Sequence, residues 1–258
     1  MNIKAIDVHV HCPVEEGGPG PKMEAVAEEF QSLGVFGNIL ARDCRTIVGH
    51  VETTNDYVNQ VVRKYPEVFM GCGSVDPWLG KVAIYEVERC VKELGLKGLK
   101  FEPYRTESYL NDRRFYALYE KIQELGVPMM VHTGMAQFQG GHRMKYLAPF
   151  PYFDDLAADF PGLTIIGCHQ AFPWQDEMLA IASHKPNVYI ELSAWWPHEA
   201  SRSLIDYTNT ALKDKVMFGT GYARIHPKPW IEDFDKQPFS AEVRPKVLME
   251  TARKVFCL

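Results

Sequence analysis

The stretch IKAIDVHVH (residues 3–11) decides how the chain is read, because its alternation is that of a β-strand whose last turns carry ligand-type side chains. Side chains two apart share a strand face. Asp7, His9 and His11 are therefore expected on one side, with Ile6, Val8 and Val10 on the other. The valines are expected to meet helices and the histidines to face inward.

Working outward, seven more short runs have strand character: FGNILAR (36–42), VFMGCGSV (68–75), LKGLKFE (96–102), VPMMVHT (127–133), LTIIGCHQ (163–170), VYIELSA (188–194) and KVMFGTG (215–221). Amphipathic stretches such as MEAVAEEFQSLG, TNDYVNQVVRKY and DRRFYALYEKIQELG lie between them, several ending at glycine or before proline, where helices stop. Strict βα alternation implies parallel strands, since a crossover helix is what returns the chain for another parallel strand. Eight units in 258 residues predict a single-domain (β/α)8 barrel over 1–258. An open doubly wound sheet is the rival, but it normally needs fewer strands, and neither GxGxxG nor GxxxxGK[ST] occurs. The Gly/Pro-rich segment 12–22 is read as a lid or a connection.

The net charge of −5 and the lack of a Lys/Arg run argue against nucleic acid as a partner and favour small molecules. Six cysteines are scattered without a CxxC pair, and the first residues lack a basic start and a long apolar core, so a cytoplasmic protein is expected. No run of about eighteen apolar residues suggests a membrane span.

In a barrel, polar side chains at the C-terminal ends of strands face the active site. His9 and His11 end strand one, His132 strand five and His169 strand six. A single strand histidine ordinarily satisfies a core hydrogen bond, but burying several titratable groups together is costly without a shared purpose. Neutral imidazoles suit Zn²⁺, and an i, i+2 pair places two nitrogens on one ion, so His9, His11 and His132 are the expected ligands of one divalent metal. His169 is expected to act as a general acid or base beside it. No organic cofactor is called for.

DVHVH, LKGLKF, VPMMVHTG, IIGCHQAFPW and the terminal VLMETARKVF together resemble the amidohydrolase-related metal-dependent barrels, the group containing aminocarboxymuconate-semialdehyde decarboxylase and γ-resorcylate decarboxylase. The resemblance implies that His9, His11 and His132 ligate the metal and that His169 is catalytic. It also implies a strand-eight aspartate in a segment like FG[ST]DYP. Here the segment reads FGTGYAR, so Gly221 stands where that aspartate belongs and Ala223 replaces the proline. Glycine neither binds a metal nor accepts a proton, so a weakened or altered site is expected.

Asp7, Glu191 and Asp76 are the candidate stand-ins, with Glu191 more readily read as a hydrogen-bond acceptor at the barrel rim. Two reactions follow from the resemblance. One is metal-dependent hydrolysis of a small carboxylate, lactone or amide, placed first as the commoner chemistry of metal barrels; the other is non-oxidative decarboxylation of an aromatic or unsaturated acid. A degenerate ligand-binding barrel is the non-enzymatic alternative.

Lys100 or Lys97 is expected to pair with a carboxylate, and Lys100, Arg105, His142 and Trp174 are candidate substrate contacts. Trp195 and Trp196 belong to the same aromatic rim, which suggests a homodimer. Strand parity turns Cys12 away from His11, and Cys168 away from the face of His169.

Overall fold

The computed structural model describes residues 3–11, 22–135 and 141–258, so Cys12 and nearly all of the 12–22 segment lie outside the described residues. All eight expected strands form: β1 (Ala5–His11), β2 (Val35–Leu40), β3 (Phe69–Ser74), β4 (Leu99–Phe101), β5 (Met129–His132), β6 (Ile165–Cys168), β7 (Val188–Glu191) and β8 (Val216–Met217). They make one eight-stranded parallel sheet in sequence order, with helices between them. The chain is a (β/α)8 barrel. Runs of Val, Ile and Met make these strands because each is covered on both faces, by helices outside and by the opposite strands inside.

The helices begin and end on local chemistry. Thr54 Oγ1 accepts from Tyr57 N at 3.1 Å to cap the helix Asn55–Lys64, and Ser201 Oγ accepts from Leu204 N at 3.1 Å to cap Arg202–Asn209. The helix Met23–Leu33 stops at Gly34, whose φ of 69° suits a residue without a Cβ. A short antiparallel pair, Arg42–Asp43 with Val51–Thr53, follows β2 and was not anticipated. It carries Arg42 to the rim of the site.

β1 departs from the expected alternation. Asp7 pairs with Gly37 but Val10 with Ile39, so three steps along β1 match two along β2. Such a bulge lets neighbouring side chains change faces. Ile6 and Val8 consequently belong to the barrel interior, packed with Met70, Cys72, Met130, Ile166 and Met217, while Val10 joins the outer core with the helices. The prediction that Ile6 and Val8 share a face with Val10, and that Val8 meets helices, is corrected, as is the placing of Asp7 with the histidines.

Among the described residues no strand ladder joins β8 to β1, and the seam is closed by other bonds. Val8 N donates to Phe218 O at 3.1 Å, Gly221 N to His9 O at 2.9 Å and His11 N to Tyr222 O at 2.9 Å. Asp7 completes the seam by accepting from Thr220 N at 3.0 Å and from the Thr220 hydroxyl. The C-terminal helical run contains one π-helical segment, Lys246–Glu250, whose Val247 carbonyl accepts from Phe218 N at 2.7 Å. Beyond it, Ala252 and Phe256 pack into the interior core. Among the described residues no helix is long and apolar enough to cross a membrane.

Candidate active site

At the C-terminal end of the barrel four imidazoles meet in two pairs. His9 Nε2 lies 3.2 Å from His11 Nε2, and His169 Nε2 lies 3.1 Å from His132 Nδ1. The pairs adjoin: the rings of His9 and His169 have centroids 5.2 Å apart. The bulge in β1 turns His9 and His11 inward together. On β6 the device is different, because His169 leaves the strand with φ of 73° and swings its ring inward although Cys168 already faces the interior. Parity had separated Cys168 from His169; that expectation is corrected by this turn.

One carboxylate holds the cluster from below. Glu191 Oε1 accepts from His9 Nδ1 at 2.8 Å, from the Ser193 hydroxyl at 2.9 Å and from His169 N at 3.3 Å, while Oε2 accepts from Ser193 N at 2.8 Å. Ser193 in turn meets His169 Nδ1, through Oγ at 2.8 Å and through its carbonyl at 3.1 Å. His132 Nε2 lies 3.2 Å from Gly134 O.

Burial holds all four histidines well below the ordinary imidazole pKa, and nearby cations add to it: Lys100 against His9 and His132, and Arg42 against His11. For His169 Lys100 acts the same way, with Glu191 opposing. The imidazoles are therefore neutral, which is the state a divalent cation needs. This donor set fits such an ion. Among the described residues, however, the group whose ligand atoms all lie within 4.8 Å of one another is His9, Cys168 and Glu191, not His9, His11 and His132. Hydrogen bonds already engage the first group, since Glu191 accepts the four described above and Lys100 Nζ donates to Cys168 Sγ at 3.1 Å.

Lys100 therefore has a thiol partner rather than the expected carboxylate, deep in the barrel under the histidines, while Lys97 is exposed. Arg105 sits on the rim, where it pairs with Glu52 and lies 3.4 Å from Glu102 Oε2. His142 is exposed and, among the described residues, reaches the cluster through Tyr104, whose ring lies 4.7 Å from His142 and 4.4 Å from His132. Trp174 is half-buried at the start of the helix Gln175–His184, and no described hydrogen bond ties it to the histidines.

Of the stand-ins, Asp76 is spent on turns, accepting from Thr46 N at 2.7 Å and Trp78 N at 3.0 Å. Asp7 serves the seam. Burial raises its pKa to about 7, against the bonds from Thr220 and from His9 N. Gly221 has φ of 71°, and a Cβ there would lie 3.2 Å from Ala194 N.

Three site residues escaped the sequence reading. Ser193 links His169 to Glu191. Arg42 lays one guanidinium nitrogen 3.3 and 3.4 Å from the two ring nitrogens of His11 and holds Nε 3.0 Å from Glu102 Oε2, an ion pair not aligned as a hydrogen bond. Glu102 is the third: burial alone would raise it, but Arg42, Lys100 and Arg105 bring its pKa down to about 2. All three follow a strand end, so the rule that found the histidines would have flagged them.

Residues 6–258 match the amidohydrolase family. The chain belongs to that family. It is 32% identical over 78 residues to 2-amino-3-carboxymuconate-6-semialdehyde decarboxylase of Dictyostelium discoideum, a match covering 30% of this chain and 22% of that protein. It is 35% identical over 143 residues to 2-keto-4-carboxy-3-hexenedioate hydratase of a Sphingobium strain, covering 49% and 42%. Against γ-resorcylate decarboxylase of a Polaromonas strain it is 25% identical over 178 residues, covering 60% and 53%. The chain thus spans from about a fifth to about half the length of the curated relatives it matches.

Among solved structures, an uncharacterized TIM-barrel protein from Bordetella bronchiseptica superposes with a TM-score of 0.84 at 23% identity, covering 99% of each chain. A dihydroxybenzoic acid decarboxylase from Polaromonas, with bound manganese and 2-nitroresorcinol, gives 0.69 at 20% identity, covering 100% and 98%. At these identities the two structures speak for the barrel fold.

Proposed function

We propose that this amidohydrolase-family barrel is a divalent-metal-dependent lyase, acting on a small aromatic or unsaturated carboxylic acid and releasing CO₂. The observation that carries the choice is the occupation of Glu191. Hydrolysis in a metal barrel calls for a carboxylate free to take a proton from water, and Gly221 removes the strand-eight candidate. Glu191, the described carboxylate that takes a hydrogen bond from an imidazole ring of the cluster, already accepts from His9, His169 and twice from Ser193. The order of the two reactions in the sequence reading is therefore reversed. The decarboxylase names among the relatives support the same order, and the hydratase is a lyase as well.

His9, His11 and His132 would hold the ion, zinc or manganese, with His169 beside it. When bound, such an ion polarises a carboxylate or hydroxyl oxygen of the substrate and fixes its orientation. Arg42, half-buried at the edge of His11, presents a guanidinium to the substrate's negative charge and stays protonated at any working pH. Lys100 adds positive potential from below. His169 Nε2 takes up and returns the proton that replaces CO₂ on carbon, its ring held by Ser193. Tyr104, packed on His132, walls the site and excludes water.

The experiment supplies the metal-loaded protein with hydroxybenzoates or carboxymuconate-type acids on one side and lactones on the other, following CO₂ and acid release. CO₂ from the acids is expected. Turnover of lactones alone would refute the lyase assignment, and turnover of neither class would favour the binding-barrel alternative.

A further inference from the structure

The buried hydrogen bonds at the end of β7 dictate where the histidine protons sit. A carboxylate only accepts, so the 2.8 Å contact between Glu191 Oε1 and His9 Nδ1 requires the proton on that nitrogen and leaves Nε2 bare. Ser193 has a single hydroxyl proton, and it goes to Glu191 Oε1. Its oxygen must then accept from His169 Nδ1, and the Ser193 carbonyl, 3.1 Å from the same nitrogen, can also only accept. His169 therefore has the same tautomer as His9. The bare Nε2 of one faces His11, and the bare Nε2 of the other faces His132.

We propose that Glu191 is the positioning residue of the metal centre: through His9 directly and through Ser193 to His169, one carboxylate aims both lone pairs into the site, a task for which this chain has no strand-eight aspartate to help. It rests on the metal-site assignment above. Two sequence features are explained by it. Gly219 is required because a Cβ there would lie 2.5 Å from Glu191 Oε2, and Ser193 is required as the bridge between the carboxylate and the second ring. Glutamine cannot replace Glu191 without loss. With its amide nitrogen in place of Oε2 it meets the Ser193 N–H donor; in place of Oε1 it meets three donors.

The test reads tautomers and metal affinity, not turnover. Long-range ¹H–¹⁵N spectra of the full chain labelled with ¹⁵N-histidine, freed of metal, are expected to show His9 and His169 protonated on Nδ1. In Glu191→Leu, which takes the acceptor away, His9 is expected to move its proton to Nε2, and affinity for Mn²⁺ or Zn²⁺, measured by competition with a chelator, to fall about 10–100-fold. Gly219→Ala is the second variant, displacing the carboxylate without removing it, with the same expected changes and with folding checked by circular dichroism. Wild-type His9 protonated on Nε2, or a Glu191→Leu chain with unchanged tautomers and affinity, overturns the proposal. A wild-type chain that binds neither ion but shows both Nδ1 tautomers would sink the metal-site assignment and leave the positioning of the rings standing.

Discussion

Putting a carboxylate back at position 221 separates two effects that the sequence alone confounds. Gly221 sits at φ of 71°, in the left-handed region, where an L-residue costs roughly 1–2 kcal/mol. A Cβ there lies 3.2 Å from Ala194 N, and that amide is held by Thr220 O at 3.1 Å, so the neighbour has little freedom to give way. Both Gly221→Ala and Gly221→Asp should therefore lose about 2 kcal/mol without metal. For a domain of this size that lowers Tm by about 4–8 °C. Only the aspartate brings a new ligand. With metal at about a hundred times its Kd, binding stabilises by about 2.7 kcal/mol, so tighter binding by Gly221→Asp should enlarge its metal-induced Tm rise over that of the wild type and recover most of the loss. Thermal melts of three chains, each with chelator and with Mn²⁺ or Zn²⁺, make the comparison. An alanine variant that melts with the wild type would refute the strain argument, and an aspartate variant with no larger metal-induced shift would refute the claim that position 221 faces the ion.

Lys100→Met should raise the pKa of Glu102, since the buried ammonium is one of the cations that hold this carboxylate ionised, and an unchanged acid limb in urea unfolding would remove Lys100 from that role. Arg42→Met should raise KM for an anionic substrate about 10–100-fold, as expected for a lost charged hydrogen bond of about 1.5–3 kcal/mol, and steady-state kinetics showing an unchanged KM would remove Arg42 from the binding site. Glu102 has its pKa depressed to about 2, so its stabilisation is fully present above the unfolded value near 4.3 and is lost as pH falls towards 2. The two-unit depression is worth about 3 kcal/mol, and urea unfolding of Glu102→Gln between pH 5 and 2.5 should be correspondingly flatter than that of the wild type; superimposable pH dependences would contradict the sign or size of the shift.

The barrel was legible because its signal is repeated. Eight apolar runs separated by amphipathic ones are hard to fit otherwise, and errors at the ends, such as a two-residue β8 where seven were expected, leave the topology untouched. What strand parity could not supply was the rotation of β1. Alternation assumes a regular ladder, and the bulge between Asp7 and Val10 inserts one extra residue, after which inward and outward exchange. Asp7 then goes to the seam and to Thr220, instead of joining the histidines it shares a motif with. The same failure recurs at Cys168 and His169, where a positive φ lets two consecutive residues reach the interior. Both departures lie at the rim of the site, where backbone irregularity aims side chains that a straight strand would send elsewhere.

Glu191 shows why the rest of the site was harder to read than its histidines. Its sequence signal, a lone acid in VYIELSA, is equally that of a rim residue making an ordinary hydrogen bond. The distinguishing information lies in residues far away in sequence: Gly219, which leaves room for Oε2, and His9, which supplies the donor. A buried carboxylate is tolerable only when its oxygens are satisfied, and here four donors from His9, His169 and Ser193 do so. Removing any of them would leave an acceptor underused in a fully buried place. The glycines of FGTG consequently have different meanings: Gly221 stands where the family resemblance expects a ligand, whereas Gly219 marks the accommodation of a carboxylate from the neighbouring strand. A Gly219→Ala variant that keeps the wild-type tautomers at His9 and His169 would show that the carboxylate has room to spare and that the glycine is there for another reason.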